Sequence, residues 1–230
     1  MRSRFFKYKY WIDWIFPNRC PICDGVIRWN ELVCTKCEEK LPFLENMSVV
    51  KGGNDIELSC AVFSYEGNVY DGIYRLKSDN GVNLAEYASE YLSEFLESKD
   101  VATEIDLITC VPMARKKVIS RGYNQAEIIA GFMSKSLKKP FDCKLLKRRN
   151  NKVEQHKLNS KERRKNAYEA YHINSRHRDV KGKNILICDD VITTGATIER
   201  CAGLLKSMGA SKIFAAAICS TVSEKNTTGK

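Results

Sequence analysis

Five short segments of the chain have the length and composition of β-strands. Residues Ser59 to Tyr65 predict an alternating strand, whereas Asp106 to Val111 and Asn184 to Asp189 are apolar runs typical of strands buried on both faces. Further strands are predicted around Cys143 to Leu146 and at Lys212 to Thr221. None of these runs approaches the roughly 20 apolar residues that a membrane-spanning helix needs.

Apolar residues recur at helical spacing between the strands. Helices are predicted at about Leu84 to Leu96, from Asn124 onward and from Thr197 to Met208, and a shorter one includes Tyr70 to Lys77. Strands that alternate with helices indicate a parallel sheet with helices on both sides. The predicted fold class is therefore α/β, with Asn184 to Asp189 as the central strand.

Composition divides the chain into three parts. Residues 1–50 combine an aromatic, basic start with a cysteine-rich stretch, residues 55–222 hold the alternating strands and helices, and residues 223–230 form a polar tail. The turn-rich Gly-Gly-Asn-Asp that begins at Gly52 reads as a linker. The start lacks the continuous apolar core and the small-residue cleavage site of a secretory signal. These features predict an intracellular, cytoplasmic protein.

Four of the ten cysteines form two C-x-x-C pairs, Cys20 with Cys23 and Cys34 with Cys37. Each pair can direct two thiolates at one point from a tight turn, and two such pairs complete a tetrahedral Zn²⁺ site. Disulfides or free thiols are the alternatives, and disulfides require an oxidising compartment for which nothing in the sequence argues. Four thiolates leave no open position, so the predicted zinc is structural. The residues between the pairs are expected to form a small hairpin.

The chain carries 38 Lys and Arg residues against 28 Asp and Glu residues, a formal net charge of +10. This excess favours polyanionic partners such as nucleic acid, nucleotides or pyrophosphate, without separating them. Many of the cations lie between Lys144 and Lys165. This segment suits either a lid over a pyrophosphate ligand or a contact for a nucleic acid strand. The residues assigned to nucleic acid binding are Arg148, Arg149, Lys152, Arg163 and Arg164.

Two adjacent carboxylates, Asp189 and Asp190, follow the apolar run that starts at Ile185. A loop of small and hydroxyl residues, Thr193 to Thr197, comes next and opens a helix. Backbone N–H groups and the positive end of the helix dipole favour a phosphate there. The carboxylates would repel phosphate but suit ribose hydroxyls or Mg²⁺. The segment therefore predicts a ligand that is both a sugar and a phosphate; the alternative is a strand end followed by an ordinary turn.

Four cations follow the predicted strand that ends at Val111, in a predicted loop that leads to the next helix. They are Arg115, Lys116, Lys117 and Arg121. In an α/β sheet, a loop at the carboxyl end of a buried strand is where ligand groups are placed. The four cations suit a pyrophosphate, and a solvated basic loop is the alternative.

Motifs along nearly the whole chain resemble those of the bacterial ComF family (competence protein FC type). After the double C-x-x-C stretch come Pro42, a YEG at Tyr65 to Gly67, an RLK at Arg75 to Lys77 and VP…RGYNQA at Val111 to Ala126. The stretch Ile185 to Thr197 completes the order, and by itself it resembles the ribose-phosphate signature of type I phosphoribosyltransferases. The resemblance implies that fold, with a small N-terminal zinc-ribbon-like module. It also implies a role in DNA uptake during natural transformation.

The resemblance further implies a site for phosphoribosyl pyrophosphate (PRPP) with Mg²⁺. Asp189 and Asp190 would hold the ribose hydroxyls and act in catalysis, and the Thr193 to Thr197 loop would wrap the 5′-phosphate. Arg115 and Lys116 would screen the pyrophosphate. The PRPP-binding positions expected on this basis are Asp189, Asp190, Val191, Thr193, Thr194, Gly195, Ala196, Thr197, Pro112, Met113, Arg115 and Lys116.

Two functions fit these expectations, and the sequence does not rank them. The first is a phosphoribosyltransferase, in which pyrophosphate leaves C1 of the ribose and a nitrogen nucleophile of an unknown acceptor adds. The second is a non-catalytic single-stranded DNA-binding protein that uses the fold as a scaffold, with PRPP as a regulator or a relic. The partners expected for the protein are PRPP, single-stranded DNA and DNA-uptake or recombination proteins.

Overall fold

The structure is a computed structural model that describes residues 17–50, 55–78, 81–148, 171–174 and 179–221. Its main sheet is built from five strands: β1 Ser48–Val50, β2 Leu58–Ser64, β3 Leu107–Cys110, β6 Ile185–Ile192 and β7 Ile213–Ser220. The strands β4, Leu146–Arg148, and β5, Tyr171–Ile173, pair antiparallel in a separate two-stranded sheet. The predicted strand around Cys143 therefore lies slightly later in the chain than expected.

The main sheet has the strand order β1-β2-β7-β6-β3. Strand β7 pairs in parallel with β2 and β6, and β6 pairs in parallel with β3, whereas β1 is antiparallel to β2. The parallel sheet is thus confirmed, with one antiparallel strand at its edge. The middle position belongs to β7, while β6, predicted as central, lies beside it.

Seven helices surround the sheet within the described residues. They are α1 Thr35–Glu38, α2 Val69–Leu76, α3 Val82–Ser98, α4 Val101–Glu104, α5 Arg115–Arg121, α6 Gln125–Leu137 and α7 Ala196–Ser207. Helices α2, α3 and α6 share one hydrophobic core with one face of the sheet, and α7 shares a second core with the other face. Helices therefore cover both sides, as a parallel sheet requires. Within the described ranges, no helix has the length and apolarity needed to cross a bilayer.

Strand β6 shows why its sequence is a continuous apolar run. Leu186 and Cys188 join the core under α3 and α6, whereas Ile185 and Ile187 join the core under α7. Successive strand residues point to opposite faces, so a strand covered on both sides must be apolar at every position. Strand β2 is likewise buried on both faces, not alternating.

Two local predictions are corrected by the structure. The basic stretch Arg115–Arg121 is a short surface helix instead of a loop, bounded by the extended Ala114 and by Gly122 at φ +82°. Gly122 takes this left-handed conformation without the steric cost that a Cβ would add. The hairpin expected between the cysteine pairs also differs, because the antiparallel bridge joins Arg19 to Val26 and so encloses the first pair.

The cysteine-rich segment packs directly on the main domain. Cys20, Ile22 and Ile27 belong to the same core as α2 and α3. On the other side of the segment, the Tyr87 hydroxyl of α3 donates to the Glu38 carboxylate at 2.6 Å. The segment is thus held by apolar contact and by hydrogen bonds. The division into residues 1–50, 55–222 and 223–230 stays a prediction, and the aromatic start, the linker and the tail lie outside the described residues.

Candidate functional site

A pocket of about 280 Å³ opens beside the carboxyl ends of β3 and β6. Ligands of parallel α/β sheets bind at this edge, because loops from neighbouring strands converge there. Both acids of the Asp-Asp pair and four basic side chains meet in it. The lining residues are Lys77, Val111, Pro112, Met113, Lys117, Arg121, Asn124, Gln125, Ala126, Arg148, Tyr171, Asp189, Asp190, Val191 and Thr197.

The two acids lie in the second half of strand β6, which continues past them to Ile192. The Asp190 amide donates to Oδ1 of Asp189 at 2.9 Å, and the Val191 amide donates to Oδ1 of Asp190 at 2.9 Å. Burial and the charge of Asp190 raise the pKa of Asp189 well above its ordinary value, while the Asp190 amide and Lys77 oppose this rise. A second negative charge beside Asp190 is therefore costly, and a cation or hydroxyl donors would offset that cost.

Lys77 forms an ion pair with the second acid of the pair. Its Nζ lies 3.2 Å from Oδ2 of Asp190, with about a third of the lysine side chain exposed. Lys77 follows directly on helix α2, which packs on the same face of the sheet as α3. In the sequence, Lys77 belongs only to a helical pattern and to the RLK stretch, and no local signal pairs it with Asp190.

The RGYNQA stretch holds the end of α2 and the end of β3. The Tyr123 hydroxyl donates to the Leu76 carbonyl at 2.6 Å, and Nε2 of Gln125 donates to the same oxygen at 3.3 Å. Nδ2 of Asn124 donates to the Val111 carbonyl at 3.0 Å. Because Leu76 immediately precedes Lys77, these bonds fix the backbone from which the Lys77 side chain reaches the acids.

Helix α5 divides the four cations of the basic stretch. Lys117 and Arg121 line the pocket, whereas Arg115 and Lys116 are not among its lining residues. Residues four apart share one face of a helix, so the helical conformation selects the pair 117 and 121. Arg121 also donates to Oε1 of Gln125 at 3.2 Å. Pro112 and Met113 also line the pocket, and their binding to PRPP stays a prediction.

The two-stranded sheet closes the opposite wall of the pocket. The Arg148 guanidinium lies over the Tyr171 ring, 5.3 Å from its centroid. Burial raises the pKa of Tyr171, while Arg148 and a hydrogen bond with Thr197 lower it. Arg148 was assigned to nucleic acid binding, and the structure places it beside the acids. The other residues of that assignment, Arg149, Lys152, Arg163 and Arg164, lie outside the described residues.

The loop after β6 leads into the N-terminus of α7. Gly195 precedes the helix at φ +75°, a conformation that disfavours other residues. Gly195 offers no side-chain cap to the helix, and the Ala196 amide donates to the Thr194 hydroxyl oxygen at 3.5 Å. The first-turn amides of a helix face its N-terminal side, which here is the loop. Thr197 lines the pocket, whereas Thr194 and Gly195 line a smaller neighbouring cavity with Ile56 and Ser59.

The four cysteines of the two C-x-x-C pairs converge, with all four sulfur atoms within 4.8 Å of one another. The Cys23 and Cys34 sulfurs are 3.8 Å apart. Tetrahedral zinc with bonds of about 2.3 Å requires sulfurs about 3.8 Å apart, so these residues fit the metal. Burial raises the pKa of Cys20, but backbone N–H groups of Cys34, Cys23 and Ile22 lower it to about 7. Such N–H groups stabilise the thiolate that zinc binds.

Two parts of the chain match known domain families. Residues 124–229 match the phosphoribosyl transferase domain, and residues 11–49 match the double zinc ribbon domain. These matches confirm the predicted fold class, a type I phosphoribosyltransferase-like domain with a small N-terminal zinc ribbon, and they support a structural zinc at the four converging cysteines.

Two solved structures resemble part of the chain. Purine phosphoribosyltransferase from Pyrococcus horikoshii Ot3 is 24% identical with a TM-score of 0.38, over 60% of this chain and 73% of that one. Phosphoribosylpyrophosphate synthetase from Mycobacterium smegmatis is 20% identical with a TM-score of 0.39, over 60% of this chain and 34% of that one.

Two relatives match along most of their length. DNA utilization protein YhgH of Escherichia coli (strain K12) is 26% identical over 206 residues, 88% of this chain and 84% of that protein. Competence protein F of Haemophilus influenzae is 31% identical over 203 residues, 86% of this chain and 82% of that protein. With these relatives, its phosphoribosyl transferase domain and its double zinc ribbon, the chain belongs to the ComF family.

Proposed function

We propose that the chain binds PRPP with Mg²⁺ in the pocket between β3 and β6 and transfers its phosphoribosyl group. One observation carries this proposal: Asp189 and Asp190 share the pocket with four basic side chains and with the start of α7. A ligand for such a lining must offer hydroxyl groups to the acids and phosphates to the cations. PRPP carries a ribose between a 5′-phosphate and a pyrophosphate, and so presents both.

The acids and the loop divide the ribose 5-phosphate between them. Asp189 and Asp190 accept hydrogen bonds from the two ribose hydroxyls, which offsets the burial and the neighbouring charge that raise the pKa of Asp189. The 5′-phosphate then lies in the loop from Thr193 to Thr197, where backbone amides and the α7 dipole favour an anion. The exposed hydroxyls of Thr193 and Thr194 add donors to that position.

The cations on the other walls bind the pyrophosphate. Lys117 and Arg121 extend from α5, Arg148 from the two-stranded sheet and Lys77 from the end of α2. Charge-assisted hydrogen bonds to phosphate oxygens are stronger than neutral ones, so four such donors suit this ligand. Lys77 bonds Asp190 in the ligand-free protein and turns to the pyrophosphate when it binds.

Asp189 and Asp190 are also the residues that would hold Mg²⁺ together with the ligand, since carboxylate oxygens are its preferred protein ligands. Bound Mg²⁺ supplies charge neutralisation to the leaving pyrophosphate. The chain itself contributes orientation and electrostatics. In the reaction, the bond from C1 to the pyrophosphate oxygen breaks and the pyrophosphate keeps the electron pair. A nitrogen of the acceptor forms the new bond to C1 with its lone pair, and a proton that this nitrogen carries passes to solvent or to the departing pyrophosphate.

Calorimetry of the purified chain with PRPP and Mg²⁺ tests the binding step. We expect Asp190→Ala to abolish binding while its far-UV spectrum and melting temperature stay close to wild type. Asp179→Ala is the matched control, because Asp179 is exposed and pairs with Lys183 away from the pocket. Equal affinity in wild type and Asp190→Ala would overturn the proposed site. Release of pyrophosphate with candidate bases and with single-stranded DNA tests the transfer step.

We infer a second function, binding of single-stranded DNA, from the names of the relatives, DNA utilization protein and competence protein, and from the excess of basic residues. Its expected signature is an affinity that falls steeply with salt, because bound cations release counterions from the strand. The test substitutes glutamine at Arg149, Arg163 and Arg164, with Arg148→Gln made separately because Arg148 lines the pocket. If the affinity for single-stranded DNA depends on salt equally in wild type and in the triple variant, these three arginines do not contact the strand.

A further inference from the structure

We propose that the zinc ribbon positions Lys77 in the ligand pocket, through Arg75 and helix α2, so that zinc binding and ligand binding are coupled. Arg75 is a positioning residue in this scheme, because it touches the ribbon and acts on the pocket only through Lys77. The part of the proposal that concerns the ligand rests on the PRPP site proposed above. The mechanical link itself does not.

The first contact lies between Arg75 and the turn that joins the first two cysteines. The Arg75 guanidinium donates to the Pro21 carbonyl at 3.2 Å and to the Ile22 carbonyl. Pro21 and Ile22 are the two residues between Cys20 and Cys23. A single side chain of α2 therefore satisfies both carbonyls of the turn that presents half of the zinc ligands.

A second contact lies one turn earlier on the same helix. A Cβ atom at Gly72 would lie 2.6 Å from Cδ1 of Ile22 and 2.8 Å from Cδ2 of Leu84. The absence of a side chain at Gly72 thus lets Ile22 pack against the helix backbone, and Ile22 is buried in the shared core. The ribbon and α2 are joined by both hydrogen bonds and close packing.

Helix α2 transmits this attachment to the pocket over a very short distance. Lys77 is two residues after Arg75, and its Nζ reaches Asp190 at 3.2 Å. The Leu76 carbonyl between them is held by Tyr123 and Gln125. The C-terminal end of α2 is therefore held by the ribbon, through Arg75, and by the RGYNQA stretch, through the Leu76 carbonyl. The Lys77 side chain extends from this end.

In this proposal, zinc stabilises the turn that the Arg75 side chain contacts. Four thiolates around one Zn²⁺ fix the turn from Cys20 to Cys23, and without the metal only packing and hydrogen bonds are left to hold it. Losing the turn removes the two carbonyl acceptors of Arg75 and loosens the end of α2. Coupling of binding sites is reciprocal, so a ligand that engages Lys77 must in turn strengthen zinc retention.

Hydrogen exchange on the full chain tests the link without any ligand. In Arg75→Gln, and in wild type after zinc removal, amides of α2 (Val69–Leu76) should exchange about ten-fold faster. Amides of α6 should keep their protection, which distinguishes a local effect from global unfolding. Arg75→Lys should restore part of the protection, and Arg28→Gln, an exposed ribbon arginine paired with Glu31, should change nothing in α2. Unchanged exchange in α2 of Arg75→Gln, or equal acceleration in α6, would overturn the proposal.

Zinc transfer to a chelating dye tests the coupling to PRPP. Saturating PRPP with Mg²⁺ should slow zinc loss from wild type by about five-fold or more, and the effect should vanish in Arg75→Gln and in Lys77→Met. If wild type binds PRPP but loses zinc at the same rate with and without it, the coupling is wrong and the PRPP site stands. If wild type does not bind PRPP, the proposed function fails, and the exchange experiment alone decides the link.

Discussion

Nζ of Lys77 lies 3.2 Å from Oδ2 of Asp190, although the two residues are far apart in the sequence. The contact joins the end of a helix on one face of the sheet to the carboxyl end of an interior strand. It also places one of the four basic side chains of the pocket against one of its two acids. The position of the end of α2 therefore determines where the positive charge of Lys77 lies in the pocket.

Lys77→Met is expected to weaken PRPP binding about ten-fold or more, because it removes a charged donor from a partly buried site. Calorimetry with Mg²⁺ present measures the change. The control is Lys183→Met, since Lys183 is about as exposed as Lys77 and also pairs with an aspartate, the exposed Asp179, but does not line the pocket. Equal losses in the two variants would show that Lys77 contributes only to general positive charge.

Lys117→Gln with Arg121→Gln should weaken PRPP binding much more than Arg115→Gln with Lys116→Gln. Both double variants remove two charges from the same helix, but only the first pair lines the pocket. We expect a difference in dissociation constant of about ten-fold at low salt, measured by calorimetry. The prediction is wrong if the two double variants bind equally.

Tyr123→Phe removes the 2.6 Å hydrogen bond to the Leu76 carbonyl. We expect a loss of about 1 kcal/mol in the free energy of unfolding, measured with urea, and a weaker PRPP affinity through displacement of Lys77. Tyr74→Phe is the control, because Tyr74 lies on α2 itself but has 72% of its surface exposed. A normal PRPP affinity in Tyr123→Phe would show that Gln125 alone is sufficient to hold this end of α2.

Gly81→Ala should destabilise the end of α2. A Cβ at Gly81 would lie 2.2 Å from the Leu76 amide nitrogen, and backbone atoms cannot move aside as a side-chain tip can. Overpacking of this kind costs about 1–3 kcal/mol, which urea unfolding measures. Gly131→Ala provides the opposite case, since no atom lies within 4 Å of its Cβ position in helix α6. There we expect a gain of up to about 1 kcal/mol.

The raised pKa of Asp189 predicts how stability depends on pH. An unfolded aspartate loses its proton near pH 4, whereas folded Asp189 loses it at higher pH because of burial and of Asp190. Between these two pKa values the unfolded state binds fewer protons, so the stability of the ligand-free protein falls as pH rises.

Asp189→Asn should remove this pH dependence and impair PRPP binding. At pH values above the folded pKa of Asp189, the variant should melt at a higher temperature than wild type. Thermal unfolding of both proteins from pH 4 to pH 8 tests the prediction. Parallel curves for wild type and Asp189→Asn across this range would contradict it.

The sequence predicted the parts of the molecule that depend on local order. The apolar run of β6 with its two acids, the glycine-containing loop and the two cysteine pairs each occupy a short stretch, so residue type and spacing are enough to identify them. The same is true of α3, α6 and α7, whose apolar faces repeat at helical spacing. The basic stretch was read correctly as charge but wrongly as a loop, since helix α5 buries none of its side chains and so lacks an apolar face.

The tertiary structure decided which residues meet. Strand pairing and helix packing bring Lys77 to Asp190, place Arg148 and Tyr171 opposite the acids, and join Arg75 to the turn that holds the zinc ligands. None of these contacts has a sequence signature, because each joins elements whose separation along the chain is fixed only by how the sheet is assembled. By itself the sequence determined the family, the acid pair and the zinc ligands. The charge arrangement of the pocket, and its attachment to the zinc ribbon, follow from packing of the whole chain.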